Sequence, residues 1–185
     1  NMEIWCKSFL SIYNIIPNLT NSIDKLINVK SVASSGFCLT STSSTYAQLE
    51  NIAILTQKKV NLINLKLLCD EVLLEMNNAS AKLIMLKYID GLVCEEILKL
   101  TALTRRTYFR KLKKALKDFE LKLYTKILKN NVLYKNFVND SFFNNIFEKI
   151  NVIEQNLISN KKEVNISNFS SGLCNMILKQ MKKAF

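Results

Sequence analysis

The segment that decides the fold spans residues 92–119 and reads LVCEEILKLTALTRRTYFRKLKKALKDF. A short helix is expected from Val93 to Leu100, and Thr101 to Leu103 then turns the chain. Thr104 is a good N-cap, because its hydroxyl oxygen can accept a hydrogen bond from an early backbone amide of the next helix. A long basic helix is expected from Arg105 to about Lys129. This order is the helix-turn-helix pattern, whose second helix enters the DNA major groove.

The second helix of this pattern has two different faces. Its apolar residues recur at helical spacing and should form the stripe that packs on the core: Tyr108, Leu112, Ala115, Leu116 and Phe119. The opposite face carries Arg106, Phe109, Arg110 and Lys113. The stretch from Arg105 to Lys117 contains seven cations and no acid.

All three arginines of the chain lie here, at Arg105, Arg106 and Arg110, and every other cation is lysine. Arginine presents a planar donor fork that can grip guanine O6 and N7 or a phosphate in two places, which lysine cannot do. A solvated basic surface face is the alternative interpretation, but the clustering and the upstream turn favour DNA contact. The predicted DNA-binding residues are Thr104, Arg105, Arg106, Thr107, Phe109, Arg110, Lys111, Lys113, Lys114 and Lys117.

Separate roles are predicted within this set. Arg106 and Arg110 should read base edges, and Arg105 should contact the phosphate backbone near the helix N-terminus. Lys113 and Lys114 should also serve phosphates, because an ammonium group is a point charge. The ring of Phe109 is expected either against a thymine methyl group or against the neighbouring helix.

Composition agrees with a nucleic-acid partner and gives little support to an enzyme. The 185 residues carry a formal net charge of +11, which favours a polyanionic partner such as nucleic acid or an anionic membrane surface. Histidine is absent, which removes the commonest general base and metal ligand. No P-loop or GxGxxG pattern occurs. We therefore expect no catalytic residues, no cofactor and no metal.

The cysteines and the hydropathy pattern bear on the compartment. The five cysteines are scattered along the chain and form no CxxC pair; they are Cys6, Cys38, Cys69, Cys94 and Cys174. Free thiols in a reducing cytosol fit this pattern better than a disulfide framework. No apolar run reaches the roughly 18–20 residues that span a bilayer, and residues 1–16 lack the basic leader of a signal peptide. A cytoplasmic protein that does not enter membranes is expected.

The rest of the chain also predicts helices. Helices are expected from Ile4 to Ile16, ended by Pro17, from Asn18 to Val32, from Ala79 to Ile89 after an Asn77–Asn78 cap, and near residues 141–159 and 170–183. The expected segments are N-terminal helices with a Ser/Thr linker (1–45), a long helix (46–76), the helix-turn-helix domain (77–130) and a C-terminal helical extension of unknown role (131–185). The predicted fold class is an all-α helical bundle.

The long segment from Tyr46 to Met76 has no glycine or proline, so it is either one helix or two that break near residues 57–59. Its apolar residues at helical spacing are Leu49, Ile52, Ala53, Val60, Ile63 and Leu67. A helix of this length suggests a coiled-coil-like hairpin or the seam of a homodimer. Packing inside a monomer remains the alternative.

The stretch LKYIDGLVCEEILKLTALTRRTYFRKLKKALKDF, residues 86–119, resembles region 4 of sigma factors. It is closer to phage-type regulators with a region-4-like end, the ArpU-like late regulators and related sigma-like proteins. The matching residues are Tyr88, Ile89, Gly91, Glu95, Glu96, Ile97, Thr104, Arg106, Thr107, Tyr108, Phe109, Arg110, Lys113, Lys114, Ala115, Leu116 and Phe119. The resemblance covers about residues 17–125. Leu98 and Lys99 depart from it, standing where many members have a small residue and a polar one.

The resemblance implies a phage or prophage late-gene activator, or an accessory sigma-like factor that also contacts RNA polymerase. Nothing in the chain resembles sigma region 2, so promoter melting by this chain alone is not expected. Two other classes stay open. One is a DNA-packaging or assembly protein like a small terminase subunit, and the other is a helical protein-interaction or membrane-surface module. The leading hypothesis is a sequence-specific DNA-binding transcription regulator.

Overall fold

A computed structural model of the chain describes residues 2–32, 45–129, 143–145, 148 and 151–152. The regular structure in these ranges is helical and contains no strand, so the all-α prediction is confirmed for them. The elements are α1 (Met2–Tyr13), α2 (Ile16–Val32), α3 (Thr45–Glu75), α4 (Asn78–Ile84), a π-helical turn (Met85–Ile89), α5 (Cys94–Thr101) and α6 (Arg105–Lys129). Most of the predicted Ser/Thr linker and C-terminal helices lies outside the described residues.

The boundary between the first two helices lies before Pro17, not at it. α1 ends at Tyr13 and α2 begins at Ile16, so the predicted end of the first helix was too late. Pro17 sits in the first turn of α2, where a missing N–H donor leaves no helical hydrogen bond unmade. The Ile15 amide donates to the Ile12 carbonyl at 2.9 Å and closes the connection.

α3 is one unbroken helix, so the alternative of a break near residues 57–59 is wrong. Its buried apolar face consists of Leu55, Leu62, Leu65, Leu68, Cys69, Val72 and Leu73. The stripe that spacing picked out instead faces away from this core: Leu49, Ala53, Val60, Ile63 and Leu67 are exposed, and Ile52 is half-buried. Helical spacing identified a real stripe, but α3 carries apolar residues on two opposite faces.

The main core is built from α1, α2, α3, part of α4 and the second half of α6. Phe143, from the C-terminal part of the chain, is fully buried in it. Polar contacts fix the helices around α3. The Lys59 ammonium lies 2.7 Å from the Asp24 carboxylate of α2, and the Tyr13 hydroxyl of α1 donates to Asp70. Burial and the hydrogen bond to Asp70 both raise the pKa of Tyr13.

α6 is held to α3 by Lys126. Its ammonium lies 2.7 Å from Glu75 and 3.1 Å from Glu71, and these hydrogen bonds raise the pKa of Lys126. This contact joins the C-terminal part of α6 to the end of α3.

The predicted helix from Ala79 to Ile89 is regular only at its start. The Asn77 side chain accepts a hydrogen bond from the Ala79 amide at 3.0 Å, which confirms the Asn77 cap. After Ile84 the helix widens into the π-helical turn, and the Asp90 amide donates to the Met85 carbonyl at 2.9 Å. Gly91 follows with φ 68°, a left-handed conformation that glycine adopts without steric cost. This turn sets the direction in which α5 begins.

No helix among the described residues has both the length and the apolar character needed to cross a lipid bilayer.

Candidate nucleic-acid interface

A second, smaller core holds α5 against α6. It contains the buried residues Leu83, Cys94, Ile97, Tyr108 and Leu112. Leu98, Leu103 and Leu116 pack against it in part. From its apolar character and its spacing from Ile97, Leu100 is expected to pack against α6 as well, but it is 62% exposed, so this expectation is wrong. Cys94 and Ile97, three residues apart, are the buried residues of the short helix α5. Because these two residues face the core, Leu100 is turned toward solvent.

The start of α5 is fixed by its own acidic residues. The Val93 amide donates to the Glu96 carboxylate at 3.0 Å, which satisfies a backbone donor that lies outside the helical hydrogen-bond ladder. Glu95 and Glu96 both lie in the first turn, where negative charge interacts favourably with the helix dipole. The acidic pair therefore has a structural role in starting α5.

The turn between α5 and α6 depends on one left-handed residue. Ala102 has φ 52° and ψ 28° and ends α5. Just before it, the Thr101 hydroxyl donates to the Ile97 carbonyl at 2.6 Å. A non-glycine residue in this conformation brings its Cβ close to the following carbonyl oxygen, which costs roughly 1–2 kcal/mol.

We expect Ala102→Gly to raise the free energy of unfolding by up to about 1 kcal/mol, since glycine removes this steric strain but loses more chain entropy. Urea denaturation followed by circular dichroism measures it. Ala79→Gly is the control, because Ala79 lies in the right-handed helix α4 and its replacement should destabilise. A loss of stability in Ala102→Gly as large as in the control would contradict the role of the turn.

Thr104 starts α6 in the way its sequence position predicts. Its backbone carbonyl accepts from the Tyr108 amide at 2.9 Å, and its hydroxyl oxygen accepts from the Thr107 amide at 3.4 Å. The two threonine hydroxyls are also hydrogen-bonded to each other, at 2.9 Å. The exposed N-terminus of α6 is thus a capped helical turn that lies next to the smaller core.

The basic face of α6 is exposed along its first half. Arg106, Arg110, Lys113 and Lys117 are exposed, and their spacing of i, i+4, i+7 and i+11 places them on one side of the helix. We call these four residues the basic stripe. The predicted core residues Tyr108, Leu112, Ala115 and Phe119 are buried on the opposite side, with Leu116 half-buried between. The predicted division of α6 into two faces is therefore confirmed.

No carboxylate neutralises this stripe within the described residues. None of them lies within ion-pairing distance of Arg106, Arg110, Lys113 or Lys117. Adjacent cations repel one another, and an unneutralised row of them lowers the free energy of a bound polyanion. The positive charges of the stripe can therefore attract a row of phosphates or other hydrogen-bond acceptors.

Arg105 differs from the other two arginines. Its guanidinium lies 3.8 Å from the Glu95 carboxylate and 6.0 Å from the centroid of the Phe109 ring. The Phe109 ring also meets Tyr108 edge-to-face at 5.0 Å, yet remains 47% exposed. Phe109 is therefore supported on one side and accessible on the other, so both of its predicted roles stay compatible with its position.

The other predicted DNA-binding residues differ in their exposure and in their position around α6. Thr104, Lys111 and Lys114 are exposed, and Thr107 is half-buried. Helical geometry puts Lys114 at the edge of the basic stripe and Lys111 on the far flank. The Arg105–Glu95 ion pair was not predicted, because a spacing of ten residues across a turn carries no local rule.

The described cysteines, whose thiols could take part in chemistry, do not lie on the exposed basic stripe. Cys6, Cys69 and Cys94 are buried. Burial and the nearby Asp70 carboxylate raise the pKa of the Cys69 thiol, so it stays protonated and is a poor nucleophile. In the part of the chain that the structure describes, no three Cys, Asp or Glu side chains gather as a metal site would need.

Comparison with known proteins adds no relative: no protein-family model, curated protein or solved structure matches the chain.

Proposed function

We propose that this chain is a sequence-specific DNA-binding transcription regulator that reads the major groove with the N-terminal half of α6. The observation that carries the proposal is the basic stripe: exposed, unneutralised by the described carboxylates, and including two of the three arginines. A surface selected only for solubility would not need arginine in place of lysine at these positions.

The dimensions of the helix suit this role. An α-helix with its side chains is about 10–12 Å wide, and the major groove is about 12 Å wide. Arg106 and Arg110 are one turn apart, so their Cβ atoms are about 5–6 Å apart. Each fork can then meet a different base pair while both point into the groove.

The support beneath α6 favours the same role. Base reading requires side chains that are held in a fixed register, and rigid elements achieve this better than loops. The small core beneath Tyr108 and Leu112 fixes the rotation of α6, and the Thr104 turn fixes where it begins. We infer that α5 crosses the DNA backbone while α6 reads the bases, as in other helix-turn-helix proteins.

The resemblance to sigma region 4 extends the proposal from DNA binding to transcription. It supports a phage or prophage regulator, or an accessory sigma-like factor, with RNA polymerase as a second partner. DNA binding and polymerase contact are separable, because only the first depends on the basic stripe.

Selection from a pool of random duplexes tests the central proposal. The full chain should enrich one motif, and Arg106→Ala combined with Arg110→Ala should abolish the enrichment. Lys25→Ala combined with Lys122→Ala removes the same formal charge outside the stripe and should leave the enriched motif unchanged. Failure of the full chain to enrich any motif would overturn sequence-specific binding.

Phosphate contacts by Lys113 and Lys114 are tested by salt dependence. Lys113→Ala or Lys114→Ala should weaken binding to all duplexes to a similar degree. Each should lower the slope of log K against log salt concentration by roughly one unit, because one counterion fewer is released. Fluorescence anisotropy over a salt series measures the slope, with Lys25→Ala as the control. Unchanged slopes in both the Lys113 and the Lys114 variant would contradict phosphate contact.

A further inference from the structure

A row of apolar side chains lies uncovered along α3, on the side opposite the core. Tyr46 is 81% exposed, Leu49 57% and Leu67 54%. We call the exposed row the seam stripe; it consists of Tyr46, Leu49, Ala53, Val60, Ile63, Leu67 and Leu74. An exposed apolar row on one rigid helix is the kind of surface that marks an interaction site.

The spacing of the seam stripe follows a seven-residue repeat. Tyr46, Ala53, Val60, Leu67 and Leu74 fall at the first heptad position, and Leu49 and Ile63 at the fourth. Thr56 fills the intervening fourth position. A straight helix drifts about 20° per heptad relative to such a repeat, so a strict repeat favours a partner helix that winds alongside. The repeat therefore points to a long helix as the occupant.

We propose that the occupant is α3 of a second copy of this chain, packed parallel and in register as a two-stranded coiled coil.

Charges beside the seam stripe favour this arrangement. In the parallel register, Lys66 of each copy lies beside Glu71 of the other and can share this carboxylate with Lys126 of the same protomer as Glu71, an attractive contact on both sides of the seam. Both side chains have exposed area for such a contact, at 39% and 63%. In the antiparallel register that pairs Val60 with Ile63, Lys66 would instead face Lys59, whose ammonium is already paired with Asp24 of its own protomer, so no attractive pair would form.

The length of α3 is sufficient for a stable contact. Its 31 residues extend about 46 Å, and a helix about 10–12 Å wide then covers roughly 500 Å² per copy. The total of roughly 1,000 Å² reaches the lower size of specific protein interfaces. Beyond Leu67 the next fourth position is Asp70, whose carboxylate accepts from Tyr13 and lies 4.0 Å from Lys66. The Asp70 carboxylate therefore has its polar partners within its own protomer.

The proposal does not depend on DNA binding, so it is tested on the full chain alone. Sedimentation equilibrium should show a dimer, and Leu49→Glu combined with Leu67→Glu should raise the dissociation constant on the order of a hundredfold or more, since charges would enter the seam. Ile54→Glu is the matched control, because Ile54 is exposed on the same helix outside the seam stripe. Circular dichroism should show unchanged helicity in both.

Disulfide cross-linking tests the parallel register. Tyr46→Cys should link two copies on mild oxidation, whereas an antiparallel pair would hold these positions about 40 Å apart. Val60→Cys lies near the centre and should link in either direction, and the wild type gives the background from native cysteines. Linking at both positions supports the proposal. Linking only at Val60→Cys overturns the parallel register. Three outcomes would overturn the α3 dimer: a monomeric wild type, a seam variant that dimerises as well as the control, or a ring of eight or more chains.

Discussion

Replacing Phe119 with alanine should lower the free energy of unfolding by about 3–5 kcal/mol, because a fully buried ring is removed and a cavity is left. Phe119 lies on α6 within the main core. Domains of this size are stable by only about 5–15 kcal/mol, so the variant would lose a large fraction of its stability. Urea denaturation followed by circular dichroism measures the change.

Tyr124→Ala is the matched control for this loss, since Tyr124 is an aromatic residue of the same helix that is 45% exposed. Its replacement should cost at most about 1 kcal/mol. Equal losses at the two positions would contradict the orientation of α6. DNA binding by Phe119→Ala should fall only under conditions where the variant unfolds, because Phe119 faces away from the basic stripe.

Arg106→Lys and Arg110→Lys should each weaken binding to the cognate duplex by about 1–3 kcal/mol, roughly 5–150-fold, with little change on scrambled DNA. Lysine keeps the charge but loses the fork that grips a guanine edge in two places. Competition binding against cognate and scrambled duplexes at one salt concentration gives the ratio directly.

Arg105→Lys is the matched control for specificity. Arg105 is paired with Glu95 and is predicted to contact phosphate, so this change should leave the cognate-to-scrambled ratio nearly unaltered. If Arg106→Lys and Arg110→Lys both keep the full ratio, neither arginine reads sequence. A purely electrostatic role predicts that outcome, with all three substitutions nearly silent.

Local patterns predicted α6 well, for a physical reason. One side of its first half is apolar and the other is uniformly basic, so only one rotation of the helix avoids burying charge. Tyr108, Leu112 and Phe119 are buried as a result, and Arg106 and Arg110 are exposed. Thr104 was likewise predictable, because capping depends on residues a few positions apart.

The sequence by itself determined that the described chain is helical, where the turn before α6 lies, and which face of α6 carries the arginines. Tertiary structure decided which apolar face of α3 is buried, because both faces show helical spacing and only contacts from α1, α2 and α6 distinguish them. It also decided the exposure of Leu100 and the pairing of Arg105 with Glu95. Periodicity reports that a helix has an apolar face, whereas burial depends on which elements are available to cover that face.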